Sequence, residues 1–157
     1  DLVMYAYIGL SVGDLISGIL SQLLKSRKKV VQLYLGFSLV CVLIFLLMHD
    51  YNITENTYYF MCFLLGAGTG YWAIFVTIAA EQFGTNIRST AANTIPNLVR
   101  GSVNIVVLFF GILVSTGIND GWSALLVGVL FISLAFFSIS RLTETFGKDL
   151  NYFDETL

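Results

Sequence analysis

The chain has 157 residues, of which 57% are hydrophobic and 11% charged, with a net charge of −2 and a mean hydropathy of +0.82. A soluble domain carries about 45–50% apolar and about 25% charged residues, so this chain could not cover its own surface with polar groups in water and reads as a membrane protein. The same numbers exclude a disordered tail, a coiled coil, a secreted disulfide scaffold and a nucleic-acid binder, since no basic stripe that could track phosphates is present.

Asp1 opens the chain within a few residues of an apolar run, without an initiator Met or a charged leader. That run is too long for a signal peptide and lacks its small-residue end, so the expectation is a piece of a longer chain. A bilayer core about 30 Å thick needs roughly 20 apolar residues of helix. Five stretches qualify: residues 2–24, 30–48, 58–80, 90–116 and 122–140. The connectors 25–29, 49–57, 81–89 and 117–121 are short, which predicts successive spans as antiparallel neighbours. The expected fold is therefore all-α and polytopic, with a transmembrane unit over 1–142 and a tail over 143–157.

Lys and Arg set the orientation. Lys25, Arg27, Lys28 and Lys29 lie in the first loop, Arg88 in the third, and Arg141 and Lys148 after the last span. The second and fourth loops carry none, only His49, Asp50, Glu55 and Asp120. The positive-inside rule then makes the first loop, the third loop and the C-terminal tail cytoplasmic. Tyr51, Tyr58, Tyr59 and Trp122 fall at the opposite boundary, where amphipathic rings prefer to sit. His49 has no second ligand beside it and reads as an interfacial polar residue. Cys41 and Cys62 lie within apolar runs without metal-ligand or disulfide spacing and read as small packing side chains. Asn52-Ile53-Thr54 matches a glycosylation sequon in a non-cytoplasmic loop, without meaning in a bacterium.

Ionisable residues inside a span cost about 2.5–3.5 kcal/mol on insertion scales and so point to function. Two are deep. Asp14 is ten residues before the end of its span and Arg100 ten residues after the start of its own, so each lies about 15 Å from the cytoplasmic end. Opposite charges at one depth suggest a water-accessible central site, in which Arg100 attracts an anionic group or pairs with Asp14, and Asp14 takes and releases a proton. A purely structural ion pair would leave the same signature. Asn93, Asn97, Arg100 and Asn104 recur at helical spacing beside Pro96 and form a polar stripe suited to a wet cavity or a polar helix contact. In the third span Gly66, Gly68 and Gly70 weaken the helix just before Tyr71 and Trp72. Those two rings suit a substrate platform, a gate, or plain packing. Gly9, Gly13, Ser17 and Gly18 give the first span a small-residue face for helix packing. There is no nucleophile elbow, metal-binding His pair, P-loop or dinucleotide fingerprint, so neither an enzyme activity nor a cofactor or metal is expected.

The run Gly18-Ile19-Leu20-Ser21-Gln22-Leu23-Leu24-Lys25-Ser26-Arg27-Lys28-Lys29 resembles the loop motif G-x-L-(A/S)-D-R-x-G-R-(R/K) of the major facilitator superfamily. Gln22 stands at its acidic position and Lys25 at its second glycine, which suits the degraded second copy between the eighth and ninth helices. The segment from Glu81 to Arg88 resembles the family's acidic-to-Arg segment after the tenth helix. Thr143-Glu144-Thr145-Phe146-Gly147-Lys148 resembles the P-E-T-K-G ending of sugar-porter-like members, with Thr143 for Pro and Phe146 for Lys, so sugar specificity is not implied. The resemblance implies that the five spans are helices eight to twelve of a twelve-helix transporter, most of its C-terminal six-helix half, with the N-terminal half and the seventh helix missing. It implies substrate near the midplane and rocking of two halves. It also implies a cytoplasmic gate network that draws on Gly18, Gln22, Arg27, Lys28, Glu81 and Arg88.

The expected function is secondary active transport (symport) of a small organic solute across the cell membrane, a bacterial inner membrane on this reading. Arg100 suggests an anion and Asp14 suggests proton coupling. Asn93, Asn97, Asn104, Tyr71 and Trp72 complete the expected substrate and coupling-ion site. The lipid bilayer, the solute, protons and the missing half are the expected partners. An uncoupled facilitator and a non-transporting membrane subunit are the alternatives.

Overall fold

A segment inside a bilayer has to satisfy its backbone hydrogen bonds within itself, which leaves the helix as the solution for a single apolar run. The computed structural model describes residues 1–48, 54–149 and 151, and every element among them is helical. The helices are α1 (Leu2–Leu24), α2 (Arg27–Met48), α3 (Glu55–Gly68), α4 (Trp72–Glu81), α5 (Arg88–Ser115) and α6 (Asp120–Arg141). With α3 and α4 taken together as Glu55–Glu81, five helical spans are long and apolar enough to cross a membrane. His49, Asp50, Tyr51, Asn52 and Ile53 lie outside the described residues.

The span bounds differ from the expected ones at their polar ends. Arg27, Lys28 and Lys29 belong to the first turn of α2, and Glu55 to the first turn of α3. Hydropathy locates the apolar middle of a span, but the helix runs on into the polar boundary. The larger difference is inside the third span, which breaks at Thr69–Tyr71. Thr69 N–H bonds to the Gly66 carbonyl and Gly70 N–H to that of Ala67, both tightened i to i−3 contacts. Pro96 leaves no such break. It is buried within α5, which stays helical from Arg88 to Ser115.

Small residues decide which helices come together. Gly9, Gly13, Ser17 and Ser21 are the buried residues of α1, one per turn. A Cβ on Gly9 would stand 2.0 Å from the Phe63 carbonyl oxygen, and one on Gly66 2.0 Å from that of Ala6. Such distances mean that α1 and α3 meet backbone to backbone, the arrangement small-xxx-small patterns permit in membranes. Successive spans do touch, as their short loops predict, yet the most extensive contact joins α1 to α3. Gly18 is exposed, with open space around its Cβ position, so it stands off this face and Ser21 takes its place.

A second seam is built from branched aliphatic residues and one tyrosine. Val30, Val31, Tyr34 and Leu35 of α2 pack with Ile74 and Ile78 of α4 and Ile139 of α6. Among the described helices, α1 touches α2, α3 and α4, while α5 touches α4 and α6 alone. The outside is apolar: Leu15, Leu23, Leu47 and Leu98 are each about 70% exposed. Exposed apolar surface on this scale fits hydrocarbon surroundings better than water.

Candidate functional site

The break in the third span places backbone and two aromatic rings beside the two charges that lie deep within their spans. Asp14 of α1 is half-buried, and its Oδ1 accepts a hydrogen bond from Ala73 N–H at 3.4 Å. The N–H groups of a first turn have no intrahelical partner, so the carboxylate meets the start of α4 favourably. From α5, the Arg100 guanidinium lies over the Trp72 ring, 5.2 Å from its centroid, within cation–π range. Asp14 and Arg100 thus reach the adjacent residues Ala73 and Trp72, but they do not pair. Arg27 and Glu81 form an ion pair elsewhere in the bundle.

Tyr34 and Tyr71 support this place from α2 and from the break itself. The Tyr34 hydroxyl donates to the Gly13 carbonyl at 2.8 Å, and its ring meets Tyr71 edge to face at 6.1 Å. The Ser38 hydroxyl donates to the Gly68 carbonyl at 2.8 Å. A Cβ on Gly70 would lie 2.5 Å from Gly13 Cα, so a glycine is required where the broken span crosses α1. Trp72 stacks at a tilt on Phe75, 5.4 Å between centroids.

The other expected residues of the stripe on α5 lie on an exposed face. Asn93 donates to the Ser89 carbonyl at 3.1 Å and Asn97 to that of Asn93 at 2.9 Å, so both amides bond back to their own helix. Asn104 is exposed. Arg100 is exposed on the same helix and reaches Trp72, while Asp14 reaches the adjacent Ala73; Asn93, Asn97 and Asn104 stay on the open side of α5. Two apolar cavities, of about 790 Å³ beside Leu43, Phe110 and Trp122 and about 340 Å³ beside Phe75, Ile95 and Ile139, lie elsewhere.

At the end of the bundle that carries most of the cations, three chain segments meet. Arg27 pairs with Glu81, which is buried. The tail returns to the first loop: Glu144 accepts from the Ser26 hydroxyl, from Arg27 N–H at 3.1 Å and from Lys28 N–H at 3.4 Å. Ser26 in turn accepts from Lys29 N–H, which caps α2. Lys28 Nζ donates to the Ser140 and Leu142 carbonyls at the C-terminal end of α6, where a cation is favoured. Gln82 and Thr143 exchange two hydrogen bonds. Arg88 donates to the Phe83 carbonyl, and Gln22 is exposed at the end of α1.

Burial pushes the Glu144 carboxyl up, but the Ser26 hydroxyl and the N–H groups of Phe146, Arg27 and Thr145 outweigh it and hold the group below its ordinary value. Glu144 was absent from the expected set. Its partners lie more than a hundred positions away in sequence, and only the match of Thr143–Lys148 to a family ending hinted at a role. Among the described residues no group of three His, Cys, Asp or Glu side chains converges. No protein-family model, curated protein or solved structure matches the chain.

Proposed function

We propose that the chain is part of a secondary active transporter resembling the major facilitator superfamily, with its five spans as helices eight to twelve. The observation that carries the transport reading is the interrupted third span. Broken helices at membrane depth are tolerated where the freed backbone is buried in protein or lines a cavity, and transporters use them to build midplane sites. Here the break is flanked by an acid on one side and a guanidinium on the other, held by Ala73 and Trp72. Two further features support the family. Lys25, at the position of the motif's second glycine, adopts the left-handed conformation at φ 47° that glycine takes most easily. The three motif segments also share one end of the bundle through the Arg27–Glu81 pair and the Glu144 contacts.

In this reading Asp14 carries the coupling proton, and the Arg27–Glu81–Glu144 contacts hold one conformational state closed at the cytoplasmic face. The full-length gene product, reconstituted into liposomes with an imposed pH gradient, is expected to accumulate a small organic solute. Asp14→Asn should abolish accumulation while leaving solute exchange at zero gradient. Unchanged accumulation in that variant refutes the coupling role, and a protein that neither accumulates nor exchanges any solute is a non-transporting subunit.

A further inference from the structure

We infer that the larger apolar cavity, at the end of the bundle opposite the cation cluster, binds an ethanolamine-headed phospholipid of the adjoining leaflet. The inference concerns the membrane-facing wall of the molecule and is independent of the transport reading.

The cavity has a volume of about 790 Å³ and lies where the C-terminal end of α2 meets the turn between α5 and α6. Sites that take small molecules span about 300–1,000 Å³. Its lining is graded along the helices. Asp120 and Trp122 stand in the first turn of α6, at the mouth. Leu43, Phe110 and Leu125 lie five residues inside the ends of α2, α5 and α6, about 7 Å deeper by helical rise. The wall is open to its surroundings, with Leu47 71% and Trp122 66% exposed. A polar mouth above an apolar floor is the profile of a lipid, whose head stays at the interface while its chains enter the hydrocarbon. An apolar helix seated there would match the floor and bring nothing to Asp120.

Charge selects the headgroup. Asp120 is exposed, and this end of the bundle carries neither Lys nor Arg to neutralise it. An anionic head such as phosphatidylglycerol brings a like charge to that carboxylate. A primary ammonium brings the opposite charge together with N–H donors that the carboxylate accepts. It is also attracted to the face of an indole, and Trp122 lines the same mouth two residues from Asp120. The trimethylated ammonium of a choline head keeps the attraction to the ring but has no N–H to donate. The expected order is therefore ethanolamine, then choline, then glycerol. Asp120 also complements the positive end of α6. That role acts alike in every lipid, so the rank order of the lipids separates the two.

The test photolabels the full-length protein, in mixed micelles of a neutral detergent, with phosphatidylethanolamine that carries a diazirine in the upper part of one acyl chain. Labelled positions are mapped by peptide mass spectrometry. Labelling is expected over residues 43–47 and 119–125. Unlabelled phosphatidylethanolamine should compete there roughly threefold or more better than phosphatidylglycerol, with phosphatidylcholine between them. Asp120→Asn should bring the ethanolamine and glycerol lipids level. Ala124→Phe, which puts a ring into the cavity, should remove the labelling there and leave it unchanged on the rest of the bundle. Equal competition by all three lipids in the parent protein makes this ordinary bilayer contact and overturns the proposal. A preference for phosphatidylglycerol overturns it too, as does an ethanolamine preference that survives Asp120→Asn. Labelling elsewhere on the bundle but not at the cavity means that another helix or a second copy of the chain covers it, which also refutes the lipid. None of these outcomes depends on whether the protein transports a solute.

Discussion

A Cβ at Gly9 would stand 2.0 Å from a carbonyl oxygen, whereas one at Gly18 would meet nothing within 4 Å. The two positions look alike in the sequence, since both belong to a run of small residues in one span. Only the partner helix separates them. Gly9→Ala must push α1 off α3 and should cost about 1–3 kcal/mol. Gly18→Ala should be neutral or gain up to about 1 kcal/mol through helix propensity. Thermal unfolding in one detergent compares them directly, and a Gly9→Ala protein as stable as the parent would refute the close approach. Lys25 presents the converse case. Its left-handed backbone costs an L-residue roughly 1–2 kcal/mol, so Lys25→Gly should raise stability by up to about 1 kcal/mol despite the charge it removes. Depth along the spans was legible for Asp14 and Arg100 because it needs only residue counting. Their failure to pair was not, because it depends on Trp72 holding the guanidinium.

At the scale of elements, hydropathy marks where apolar helix must be, and it marked all five spans. The interruption of the third was also legible, for three alternating glycines leave the helix without side chains to hold it at that point. The partners of each helix were not. Small-residue faces say that something comes close, and nothing in α1 alone says whether that is α2 or α3. The return of the tail onto α2 was invisible for the same reason, since Glu144 looks like any other acidic residue of a polar terminus. Its carboxylate titrates below the usual 4.5, so its contribution to holding the tail is fully present above that value. That contribution is lost as pH falls through the lower, folded-state value. Hydrogen exchange over residues 143–148, corrected for intrinsic rates, should therefore accelerate on acidification below about 4.5. Glu144→Gln should show the faster exchange already at neutral pH, because a neutral amide accepts more weakly from Ser26, Arg27 N–H and Lys28 N–H. Exchange that is the same in both proteins at both pH values would remove Glu144 as the clasp.

For the whole molecule, the decisive quantity is the uneven distribution of cations between the two ends of the bundle. Arg27, Lys28 and Glu81 meet the tail at one end, while the opposite end carries Glu55 and Asp120 and neither Lys nor Arg. Moving even one of those cations through the hydrocarbon costs about 2.5–3.5 kcal/mol, so a cluster of them fixes one orientation. The positive-inside rule predicts that the first loop and the tail face the cytoplasm. Lys25 and Thr116 are both exposed, and three spans lie between them, so an odd number of crossings puts them on opposite sides. In a background with Cys41 and Cys62 replaced by Ala, Thr116→Cys should react with a membrane-impermeant maleimide in intact cells. Lys25→Cys should react only after permeabilisation. The reverse pattern would invert the molecule and turn the Arg27–Glu81–Glu144 cluster into an outer-face device. Reaction of both from outside would break the odd count and with it the assignment of Glu55–Glu81 as a single crossing. That second outcome bears directly on the candidate site: if α3 and α4 did not traverse the bilayer as one interrupted span, Trp72 would lie near a surface. Asp14 would then face water, and the coupling role proposed for it would lose its ground.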